Sequence, residues 1–168
     1  QIVLERIIAA SNARWRVDWP AESKGPAVPL ATEVGVAIAG PGREANKVMV
    51  AMLSEDGETQ WQREFSGAPN GQSFVDRSVG GSVLLGTTET DAVDNPSVMV
   101  RLLDETGEVE WRYALELPSG AALAGVASDG EGGAFVATTG IENWLVRIGA
   151  KGSLDWIKPL PIAAQGNV

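Results

Sequence analysis

An eighteen-residue pattern recurs along this chain, and few folds accommodate such a recurrence. Residues 48–65 read VMVAMLSEDGETQWQREF and residues 98–115 read VMVRLLDETGEVEWRYAL, with Gly and Trp at matching places. Residues 2–19 (IVLERIIAASNARWRVDW) fit the same frame with Ser11 in place of Gly, and residues 144–160 (WLVRIGAKGSLDWIKPL) fit it with one deletion. The anchoring tryptophans Trp15, Trp61, Trp111 and Trp156 stand 46, 50 and 45 residues apart. A fixed period of this length marks a chain of stacked equivalent units, none able to bury its apolar face alone.

Within each unit an apolar run, a polar Gly-bearing stretch and an alternating segment ending in Trp predict a β-hairpin. Gly57, Gly107 and Gly152 stand four residues before their tryptophans, where the turn calls for positive φ. A second repeated block lies between the hairpins: AVPLATEVGVAIAG (27–40), FVDRSVGGSVLLG (74–86) and VASDGEGGAFVATTG (126–140). Each reads as a short strand, a Gly turn and an apolar strand. One repeat is therefore four up-and-down strands, A to D, in about 45–50 residues, the period of a propeller blade. The expected fold is all-β: one β-propeller segment over residues 1–168, with a half blade at 1–19, blades near 20–65, 66–115 and 116–160, and the start of another at 161–168. A sandwich or barrel also uses short strands, but neither predicts a Trp returning at a fixed distance after a Gly turn.

The segment Thr106-Gly107-Glu108-Val109-Glu110-Trp111 resembles the tryptophan-docking motif of propellers of the pyrroloquinoline-quinone type. The stretches Gly80-Gly81-Ser-Val-Leu-Leu-Gly86-Thr87 and Gly132-Gly133-Ala-Phe-Val-Ala-Thr138 are similar to a bacterial secreted propeller repeat. The resemblance spans nearly the whole chain and implies that Trp15, Trp61, Trp111 and Trp156 pack between neighbouring blades. An indole brings roughly 150–250 Å² of apolar area to such a contact. Trp19 and Trp144 occupy other apolar slots of the repeat and read as core. The resemblance also implies a secreted or periplasmic location and places the binding surface on the D-to-A and B-to-C loops. Those B-to-C loops hold Arg43, then Asp91, Asp94 and Asn95, then Glu142, all expected as ligand contacts if the loop face binds anything.

Composition narrows the chemistry. With 22 acidic against 13 basic side chains the net charge is −9 and the pI about 4.5, which opposes attraction to nucleic acid or anionic lipid. No apolar run reaches the roughly 18 residues of a membrane-spanning helix. There is no Cys and no His, so thiol and imidazole catalysis and zinc sites built on either residue are excluded. Asp91, Asp94 and Asn95 offer oxygen ligands of the kind Ca²⁺ takes, without the spacing of an EF-hand loop. Asp76 and Arg77, on a predicted innermost strand, read as a channel ion pair or as a pair orienting a ligand. No phosphate-binding loop, dinucleotide fingerprint or nucleophile elbow is present.

The expected function is a noncatalytic scaffold or protein-binding platform carrying no cofactor. The alternatives are a fragment of a quinone-dependent dehydrogenase, whose cofactors would be Ca²⁺ and quinone, and a carbohydrate-binding propeller. The chain opens on Gln in a C strand, with no charged-then-apolar leader, and stops where an A strand should begin. It therefore reads as processed or cut from something longer, with a protein partner or a second copy completing the ring.

Overall fold

A computed structural model describes residues 2–7, 14–19, 27–67, 73–90, 96–116, 122–140 and 142–161. The described residues form an all-β chain of three antiparallel four-stranded sheets and a two-stranded pair, with a single 3-10 turn at Val79–Gly81. The pair is β1 (Ile2–Ile7) and β2 (Arg14–Trp19). The first sheet runs β3 (Val28–Ala31), β4 (Val36–Pro41), β5 (Lys47–Leu53) and β6 (Thr59–Ser66). The second runs β7 (Ser73–Arg77), β8 (Val83–Thr90), β9 (Pro96–Leu103) and β10 (Val109–Glu116). The third runs β11 (Ala122–Ser128), β12 (Ala134–Thr139), β13 (Asn143–Ile148) and β14 (Leu154–Leu160). In every sheet, spatial order follows chain order.

The turn between the last two strands is built alike in all three sheets. Ser54, Asp104 and Gly149 each donate their N–H to the carbonyl four residues on (2.8, 2.9 and 2.8 Å). Each also accepts from Gly57, Gly107 or Gly152 through its own carbonyl. These glycines sit at φ 84, 79 and 71°, and the ladder slips by one residue just beyond, a three-residue loop closed by a bulge. The slip places each Trp opposite the penultimate residue of the preceding strand: Trp61 faces Met52, Trp111 faces Leu102, and Trp156 faces Arg147. In the two-stranded pair, Trp15 faces Arg6 in the same relation.

Two apolar layers hold the sheets face to face. Ala37, Ala39, Val48, Val50, Met52 and Trp61 of the first sheet meet Val83, Leu85 and Leu103 of the second. The opposite face of the second sheet, with Leu84, Val98, Val100, Leu102, Trp111 and Leu115, meets Leu123, Val136, Val146 and Ile148 of the third. Strand β9 is covered on both faces, so its sequence runs nearly all apolar. Strand β10 is covered on one, so it alternates.

Candidate functional site

Trp61 and Trp111 are each 8% exposed and lie between sheets. Trp61 Nε1 donates to the carbonyl of Glu105 at 2.8 Å, in the turn of the second sheet. A Cβ added at Gly107 of that turn would come within 2.7 Å of its ring. Trp111 repeats the glycine contact one sheet further on, while its hydrogen bond goes to the β11–β12 turn instead. Its Nε1 donates to the Gly132 carbonyl at 3.0 Å, and a Cβ at Gly152 would stand 2.8 Å from its own Cβ. Each turn glycine thus serves two needs, a left-handed φ and a surface on which the preceding sheet's indole rests.

The third sheet carries the same row with nothing described against it. In register, Ala37–Met52–Trp61 and Leu84–Leu102–Trp111 correspond to Phe135–Arg147–Trp156. The first two rows are buried; Phe135, Arg147 and Trp156 are all half-buried. Leu160 is 37% exposed in the slot where Leu115 is 6%. Phe135 and Trp156 lie 6.1 Å apart, with Lys158 Nζ 4.7 Å from the indole centre and the Arg147 guanidinium 5.8 Å from the Phe135 ring. Arg147 also reaches Asp129 at 3.4 Å and Asp155 at 3.5 Å. Two carboxylates answer the charge in a row that holds Met52 and Leu102 elsewhere, while Arg147 Nε is buried without a hydrogen-bond partner among the described residues.

A groove of about 520 Å³ opens between the outer strands of the first and second sheets, lined by Lys47, Glu64, Phe65, Arg101, Trp111 and Arg112. At its floor the Arg101 side chain is 8% exposed, with Nη2 2.6 Å from Glu89, Nη1 3.1 Å from the Thr87 hydroxyl and the guanidinium 5.0 Å from the Phe65 ring centre. This buried cation spans both sheets, and sequence reasoning missed it. Its signal is Arg101 standing where the aligned run VMVAML has Ala51, a charge inside an otherwise apolar strand.

Of the loop candidates, Arg43 and Glu142 fall among the described residues. Arg43 is exposed, and its backbone N–H donates to Glu64 Oε1 at 3.0 Å. Glu142 is exposed; Asp91, Asp94 and Asn95 lie outside the described residues, as does the Trp15 side chain. Asp76 does not pair with the Arg77 guanidinium in the described contacts; it accepts the N–H of Arg77 at 2.9 Å and that of Ser128 at 2.8 Å, tying β7 to β11. Among the described residues, no three Asp or Glu side chains converge as a cation cage.

Two aspartates organise turns. The Thr106 hydroxyl, helped by the N–H groups of Glu108, Thr106 and Gly107, holds the Asp104 carboxyl below the usual range against a smaller opposing effect of burial. Burial pushes Asp129 up, but the N–H groups of Glu131 and Gly133 together with Arg147 outweigh it and leave its carboxyl below the usual range.

No family model matches the chain, and no curated protein does. It is similar to a crystal structure of a protein of unknown function from Bacteroides caccae, at 18% identity and a TM-score of 0.48. The match covers 66% of this chain and 36% of that one, so the chain spans about a third of its neighbour's length.

Proposed function

We propose that this chain is part of a noncatalytic β-propeller, secreted or periplasmic, that serves as a protein-binding scaffold. The observation that carries this reading is the repeated row of Trp61, Trp111 and Trp156: covered by the next sheet in two cases, open in the third. A contact that recurs from first sheet to second and from second to third propagates from unit to unit, as blades do around a ring. An apolar face with no described sheet against it is a contact surface for protein. The location rests on the resemblance of the repeat to secreted propellers.

Sedimentation velocity of the purified chain tests the reading. It should associate reversibly as concentration rises, and Trp156→Asp should abolish association while leaving circular dichroism unchanged and lowering the melting temperature by no more than several degrees. A chain that stays monomeric into the millimolar range, or one whose association ignores Trp156→Asp, would overturn it.

A further inference from the structure

We propose that the open face of the third sheet selects its partner by charge, taking a β-sheet unit whose outer turn presents glycine followed by a carboxylate. The inference rests on the reading that this face docks protein, and it names the partner's chemistry. Where the first sheet meets the second, the residue two beyond the docking Trp reads the residue just after the receiving glycine. Arg63, two beyond Trp61, places Nη2 2.7 Å from Glu108 and 3.3 Å from the Thr106 carbonyl, beside Gly107.

The strand registers put Arg63, Tyr113 and Lys158 in equivalent slots, opposite Val50, Val100 and Leu145. Between the second and third sheets the corresponding residues are Tyr113 and Ser153, both uncharged. At the open face the slot holds Lys158, its ammonium over the Trp156 ring. Arg147 is already answered by Asp129 and Asp155, which leaves Lys158 as the charge a partner meets. On a chain of net charge −9 this cationic slot repels nothing acidic and penalises a basic turn. Two turns in the sequence itself meet the description, Gly57-Glu58 and Gly107-Glu108, whereas Gly152-Ser153 does not.

The test uses a cyclised hairpin peptide of residues 51–62, cross-linked at the facing pair Ala51 and Gln62 and verified as a hairpin by circular dichroism. It is titrated into the full chain while the indole N–H of Trp156 is followed by NMR. The peptide should shift that resonance, and its Glu58→Lys and Glu58→Ser forms should bind more weakly, the former by about fivefold or more. With the Lys158→Glu chain the preference between Glu58 and Glu58→Lys peptides should invert, a swap that misfolding does not mimic. Equal affinity for all three peptides would overturn charge selection and leave protein docking standing. Failure of every verified hairpin to move Trp156 would overturn both.

Discussion

At the scale of single residues, the indoles and the glycines beneath them are the positions where a small change reaches furthest. Trp61→Ala and Trp111→Ala should each lower stability by about 3–5 kcal/mol in urea denaturation, because both vacate a packed layer between sheets. Trp156→Ala, at a half-buried position with no described sheet against it, should cost about 1 kcal/mol or less. Gly107 and Gly80 separate the two demands a turn glycine can meet. Both have positive φ, 79° and 64°, but a Cβ at Gly80 has nothing within 4 Å, whereas at Gly107 it meets the Trp61 ring at 2.7 Å. Gly80→Ala should therefore cost only the left-handed strain, about 1–2 kcal/mol. Gly107→Ala should cost at least about 1 kcal/mol more, from overpacking. Equal losses in the two variants would mean that the indole yields freely.

At the scale of elements, the strands find their neighbours through rows of side chains, and one strand pair is joined across rows by an ion pair. The side chains of Arg101 on β9 and Glu89 on β8 are 8% and 15% exposed, and the Arg101 guanidinium lies over the Phe65 ring of β6. Removing one partner leaves the other nearly dry and unanswered, so Glu89→Leu or Arg101→Met alone should destabilise by about 3–5 kcal/mol. The double change Arg101→Met with Glu89→Leu should recover most of that loss, because an apolar pair of similar volume needs no compensation. A double-mutant cycle by chemical denaturation checks this, and additive losses would show that the two side chains act independently. The hairpins were legible in the sequence because Gly, bulge and Trp lie within a few residues of one another. Arg101 was harder to place: nothing local distinguishes an arginine pointing into a groove from one pinned beneath a neighbouring sheet.

At the scale of the whole molecule, the pH dependence of folding follows from which groups are present. The chain has no His, so no side chain with an ordinary pKa titrates between pH 5 and 8, and the melting temperature should be nearly flat there. Asp104 and Asp129 have folded-state pKa values below the unfolded carboxylate value. Their contribution is fully present above about pH 4 and is lost as pH falls through the lower folded values. Thermal melts should decline below about pH 4, and the decline should be shallower in an Asp104→Ala, Asp129→Ala variant. Turn chemistry and strand alternation act over a handful of residues, so the hairpins, the repeated four-strand unit and the shared row of Trp61, Trp111 and Trp156 follow from local residues alone. Packing of sheet on sheet sets the rest: Trp61 rests on Gly107 rather than on its own Gly57, Asp76 holds the backbone of Ser128, and Leu115 is buried while Leu160 is exposed. Leu115 and Leu160 share a slot in the repeat, and what separates them is whether another sheet lies against that slot. Burial depends on contacts between residues some 40 to 50 positions apart, and no local pattern encodes them.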